Sequence, residues 1–114
     1  MYLIPPYPLR WSAEGKTFFD LFELHGVEKN DGAAQYVTSW DEAFADGLLE
    51  AHDTHAILRV GGRGSHLYKR KSVKLYSKAK ASTFLAALKF SHTPYGCGLW
   101  PSFWTLGERP RRFE

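Results

Sequence analysis

The sequence predicts an all-β fold, and three observations predict it. Strand-like apolar runs recur at 35–39, 55–60, 71–77, 83–90 and 99–106. Asp31-Gly32 and the glycines at 61, 62 and 64 punctuate those runs as turns. With 114 residues, 44% of them apolar and 16% aromatic, the chain is long enough for one small domain and too apolar for disorder by composition.

Taken in order, the prolines at 5, 6 and 8 make residues 1–10 an extended lead-in. Residues 17–24 mix Phe18, Phe19, Leu21 and Phe22 without clean alternation, so strand and short helix both fit. Residues 41–47 read as one helical turn ending at Gly47. Across 71–77, Val73 and Leu75 face inward, and the outward lysines discourage edge pairing. No internal repeat or low-complexity tract interrupts this order.

Charge is segregated behind a net +3. Residues 1–60 sum to −6, residues 61–107 carry eight cations and no anion, and residues 108–114 add +1. Lys69-Arg70-Lys71 through Lys74, Lys78 and Lys80, interleaved with Tyr68 and Tyr76, has the ingredients of a phosphate-and-base surface. An ordinary outward lysine face explains the same pattern, with the acidic half packed against it, so no nucleic-acid partner is expected. Nor is a membrane partner expected, because no run is long enough to span one. The first residues lack the basic and apolar regions of a secretory signal, and the single asparagine, Asn30, is in no glycosylation sequon. Cys97 is the only cysteine, which excludes a disulfide within these residues.

Other constellations carry little chemistry. His52 and His55 flank Asp53 at a spacing compatible with metal, but converging ligands are not evident and a surface loop is the reading. Ser12, Ser65 and Ser72 can be combined with histidines into a triad only on paper, because a triad is defined by geometry. Gly61-Gly62-Arg63-Gly64 lacks the lysine and hydroxyl of a phosphate loop. No metal and no cofactor are predicted.

The most informative stretch is 96–107, Gly-Cys-Gly-Leu-Trp-Pro-Ser-Phe-Trp-Thr-Leu-Gly. As a strand it places Trp100, Ser102, Trp104 and Leu106 on one face and Leu99, Phe103 and Thr105 on the other. Two indoles four residues apart lie roughly 13 Å from each other at about 3.3 Å per residue, a reach that suits a run of sugar rings. By periodicity alone they also read as core residues of a sandwich.

This stretch resembles the Gly-x-Trp-Pro-Ala-Phe-Trp strand of glycoside hydrolase family sixteen, most closely the fungal laminarinase-like endo-β-1,3(4)-glucanases. Residues 12–20, Gln35-Tyr36-Val37, Gly47-Leu48-Leu49, residues 70–78 with their Arg-x-Ser-Val-Lys, and residues 84–88 resemble further family segments in the same order. The resemblance covers about 11–107, and residues 108–114 diverge from it. It implies a partial, truncated jelly-roll β-sandwich of the concanavalin A-like kind, a β-glucan polysaccharide or oligosaccharide as partner, and Trp100 and Trp104 as substrate-binding residues. It also implies secretion in the complete enzyme and a second cysteine elsewhere for Cys97.

In that family the tryptophan strand leads into Glu-x-Asp-x-x-Glu, whose glutamates act as nucleophile and acid/base. Retaining hydrolysis needs two such carboxyl groups about 5–5.5 Å apart, one ionised and one protonated. No Glu-x-Asp-x-x-Glu occurs in this sequence, where Glu108 and Glu114 are separated by Arg-Pro-Arg-Arg-Phe. No catalytic residue is therefore assigned, and the expectation is an inactive, truncated β-glucan hydrolase. The alternative is a non-catalytic glucan-binding or interaction module. Strands without partners also imply non-specific self-association.

Overall fold

The computed structural model describes residues 8–25, 30–31, 34–62 and 69–107. The lead-in before Pro8, Gly32, Gly64, Ser65, Tyr68, and the tail with Glu108 and Glu114 lie outside the described residues.

The ambiguous segment resolves into both of its candidates. A 3-10 helix covers Gly15–Leu21, and β1 (Phe22–Leu24) follows without a break. Gly15 sits at φ +58, and a Cβ there would stand 2.5 Å from the Asp53 carbonyl oxygen. Only glycine permits both that backbone and that approach. Lys16 reaches the Asp53 carboxylate at 2.8 Å, joining the helix to the turn beside it.

β2 (Asn30–Asp31) pairs antiparallel with β3 (Ala34–Tyr36). The Val37 amide donates to the Ser72 carbonyl at 3.0 Å, carrying the pairing one residue past β3. Ser39 then caps α1 (Trp40–Ala45), its hydroxyl accepting from the Glu42 amide, and Asp41 and Glu42 add favourable charge in the first turn. The helix ends where the sequence places its end. Gly47, at φ +71, donates to the Phe44 carbonyl, and Leu48 donates to that of Ala43. That pair of bonds is a Schellman motif, and its hydrophobic contact is buried, with Leu48 and Ala43 both inside the core.

Leu48 also leads into β4 (Leu49–Ala51), which forms an antiparallel hairpin with β5 (Ala56–Leu58) around residues 52–55. β6 (Arg70–Ser72) pairs parallel with β3, and β7 (Leu75–Ser77) pairs antiparallel with β1. The predicted strand 71–77 therefore changes partner at Val73 and Lys74. A parallel pairing needs a long crossover, and α1 with the β4–β5 hairpin supplies it.

Phe19, Val37, Ala43, Leu48 and Leu49 form the core, with Phe18, Trp40, Val73 and Leu75 packed against it. Val73 and Leu75 thus face inward as predicted. Edge-to-face contacts link Phe19 to Phe18 and Phe44, at 5.1 and 5.6 Å between ring centres. The acidic half does meet the basic one: Lys71 Nζ lies 3.0 Å from Glu42 and 2.8 Å from Asp46, and those carboxylates raise its pKa.

The jelly roll is realised in part. The described residues are strand-rich, but their strands form three separate sheets of two or three strands, none of them closed. The strands predicted at 83–90 and 99–106 are absent. Propensity reports fit to a pleated, half-buried surface, and no described strand pairs with either segment. From Lys80 to Gly107 every residue except Leu99 is exposed. Consistently, the radius of gyration is 16.7 Å, where a compact chain of this length has about 13 Å. The accessible surface is 10395 Å², against about 6,300 Å² for a folded monomer of this mass.

Candidate functional site

The strand β7 and the residue before it present two faces. Val73 and Leu75 point to the core, so period-two alternation sends Lys74 and Tyr76 the other way. Trp104 lies on that second face. Its ring centre is 6.1 Å from that of Tyr76, at 80°, an edge-to-face pair. Lys74 Nζ stands 5.6 Å from the Trp104 ring, 5.9 Å from Tyr76 and 5.3 Å from Tyr36. An ammonium within about 6 Å of an aromatic face is held by the ring quadrupole. His25 completes the group, its ring 4.7 Å from Tyr76 and its amide bonded to the Lys74 carbonyl at 2.9 Å. Four parts of the chain thus converge: β3 with Tyr36, β1 extended through His25, β7 with Tyr76, and the 99–106 segment with Trp104.

The two tryptophans singled out by the sequence have different surroundings. Trp104 is 47% exposed and Trp100 is 90% exposed. Residues 99–106 form no ladder, so the strand geometry that aligned the two indoles on one face is absent. A turn closed by the Leu99 amide on the Gly96 carbonyl, at 3.3 Å, immediately precedes Trp100. Cys97 is exposed in that turn.

In the sequence Lys74 and Tyr76 stand out only as part of a basic, tyrosine-interleaved stretch, and nothing there connects them, or Tyr36, with Trp104. Parity in 73–76 signals that Lys74 and Tyr76 share a face away from the core. It gives no sign that Tyr36 and Trp104 would meet them there, because those contacts are non-local.

A second depression lies on the core side, a cleft of 280 Å³ lined by Lys16, Phe19, Asp20, Phe22, Trp40, Phe44 and Lys78. Among the described residues that line it, Asp20 is the only carboxylate, and retaining hydrolysis requires two. The His52–Asp53–His55 segment is an exposed turn in which the two imidazoles stack at 4.7 Å. His52 Nε2 lies 2.9 Å from Glu50, and Arg59 bonds the same carboxylate. The Arg59 and His52 hydrogen bonds hold the Glu50 carboxyl below its ordinary pKa. Among the described residues no group of three or more His, Cys, Asp or Glu side chains is placed to hold a metal, and no helix is long and apolar enough to cross a membrane.

Comparison with known proteins gives this geometry its context. The family profile described as the XgeA-like, catalytic GH16 domain matches residues 19–112. A probable glycosidase of Schizosaccharomyces pombe is 33% identical over 108 residues, which is 94% of this chain and 26% of the relative. The chain thus spans about a quarter of the length of the curated relative it matches. No solved structure matches the chain significantly. With a family profile spanning most of its residues, the chain belongs to glycoside hydrolase family 16.

Proposed function

We propose that these residues contribute a polysaccharide-binding face of a family 16 glycosidase, that the polysaccharide is a β-glucan, and that Trp100 and Trp104 stack on its sugar rings. On their own the 114 residues bind glucan without cleaving it. One observation carries the reading: Trp104 is half-open and seated against Tyr76 and Lys74. A held, half-open indole is a ready platform for the apolar face of a pyranose, since little side-chain freedom remains to be lost on binding. Trp100, open beside the turn, supplies a second stacking surface.

The inactivity follows from missing groups. Without Glu-x-Asp-x-x-Glu, these residues place neither a nucleophile nor a protonated acid at a glycosidic bond, which keeps most of its uncatalysed barrier. The test is incubation of the purified chain with laminarin and lichenan, with Glu114→Gln as the contamination control. The expected result is no release of reducing ends, together with measurable binding of laminari-oligosaccharides. Release that Glu114→Gln abolishes would overturn the inactive assignment, and absence of binding would overturn the platform.

A further inference from the structure

We propose that Lys74 is a positioning residue for Trp104: its ammonium, set among the Tyr36, Tyr76 and Trp104 rings, holds the indole at the orientation a sugar would meet. The proposal rests on the platform reading for its consequence in binding, but not for the packing itself.

A residue in a β-ladder has its side chain aimed by the pleat, and residues 99–106 have no ladder. Trp104 nevertheless is 47% exposed where Trp100, four residues earlier in the same segment, is 90% exposed. The difference is the surface beneath it. Tyr76 presents an edge-to-face partner at 6.1 Å, and Lys74 Nζ lies 5.6 Å from the indole ring. Both come from the strand region that the core anchors through Val73 and Leu75 on its opposite side. Trp104 is therefore referenced to the hydrophobic core by two side chains at i and i+2.

The cation is the component that apolar packing cannot replace. Tyr76 attracts the indole by buried area and by the edge-to-face preference of two rings, and a cation over three rings adds a further electrostatic attraction that an apolar side chain cannot supply. Lys74→Met keeps nearly the same length and apolar stem while deleting the charge. Lys74→Arg keeps the charge and the capacity to sit over aromatic faces.

The experiment uses the full chain labelled with 5-fluorotryptophan, whose four resonances are assigned by single Trp→Phe substitutions. In the unsubstituted chain the Trp104 resonance should stand apart from that of the open Trp100. Lys74→Met should move it toward the Trp100 position, and Lys74→Arg should leave it in place, while the Trp40 resonance stays fixed as the report of an intact core. Laminari-oligosaccharide Kd should rise about two- to fivefold in Lys74→Met and return in Lys74→Arg, the change expected for one exposed cation–π contact. The inference is overturned if Lys74→Met leaves the Trp104 resonance unmoved, if Lys74→Arg behaves like Lys74→Met, or if the Trp100 and Trp104 resonances coincide at the outset. If Lys74→Met moves the resonance while Trp104→Phe leaves oligosaccharide binding unchanged, the positioning stands and the platform reading is the one that fails.

Discussion

Replacing each of the two tryptophans by alanine should produce opposite signatures in stability and the same signature in binding. Trp104 is 47% exposed, so about half of an indole side chain is hidden, on the order of 125 Å². At about 25 cal/mol per Å² that area is worth about 3 kcal/mol, an upper figure because a collapsed unfolded chain already hides some of it. The edge-to-face contact with Tyr76 and the cation of Lys74 belong to the same burial, so Trp104→Ala is expected to cost about 2–3 kcal/mol. Trp100, at 90% exposure, hides on the order of 25 Å², and Trp100→Ala should change stability by no more than about 0.5 kcal/mol. For binding, one aromatic stacking surface is worth on the order of 1–3 kcal/mol by analogy with base stacking, about a 5- to 150-fold rise in Kd for either variant. The assays are urea unfolding followed by circular dichroism and calorimetric titration with laminari-oligosaccharides, at low micromolar concentration. Equal destabilisation by the two substitutions would refute the placement of Trp100. An unchanged Kd in both would refute the sugar platform.

Four further outcomes follow from the described geometry. Gly47→Ala should cost about 1–2 kcal/mol for the left-handed backbone alone, since nothing stands where its Cβ would go, whereas Gly15→Ala should cost clearly more because its Cβ meets the Asp53 carbonyl; equal urea midpoints for the two would contradict this. The Glu50 carboxyl, held below its ordinary 4.5, contributes stability above that value that is lost as pH falls through its folded pKa, so the melting difference between wild type and Glu50→Gln should narrow in acid. Lys71, raised above 10.5, contributes fully below that value and loses its contribution as pH rises through its folded pKa, so the Lys71→Met difference should persist through neutrality and narrow only in strong alkali. Finally, Phe84, Phe90, Phe103 and Leu106 are each at least 49% exposed, so sedimentation should show oligomers that grow with concentration, and a species that stays monodisperse at 13.0 kDa as concentration is raised would refute that.

What the sequence made legible was local. The helix over 40–45 is written in Ser39 and Gly47, a cap and a stop that act within a few residues. The inward pair Val73 and Leu75 is written in alternation, and the strand predicted at 55–60 forms as Ala56–Leu58, although its hairpin partner Leu49–Ala51 was not singled out. Residues 17–24 were ambiguous for a physical reason, since four bulky apolar side chains in five positions serve a 3-10 turn and a strand equally, and the chain uses both. The failures are all non-local. Segments 83–90 and 99–106 carry strand composition, but a strand is a relation between two segments, and its partner cannot be read from either one alone. The same holds for Trp104, whose ring partners come from 74 and 76.

The charge segregation takes on a specific meaning once the two faces of 73–77 are separated. Cations in 61–107 outnumber anions eight to none, a balance that on an open surface favours polyanions. In the fold, Lys71 is answered by Glu42 and Asp46 from α1, and the Lys74 ammonium faces aromatic rings. Two of the most central cations are therefore spent inside the molecule, one on carboxylates and one on π faces. What the Trp104 face exposes is a half-open indole set against Tyr76, a surface whose chemistry matches the C–H face of a pyranose better than a row of phosphates. The basic stretch is accordingly compatible with the polysaccharide face proposed above, because Lys71 meets carboxylates and Lys74 meets aromatic rings.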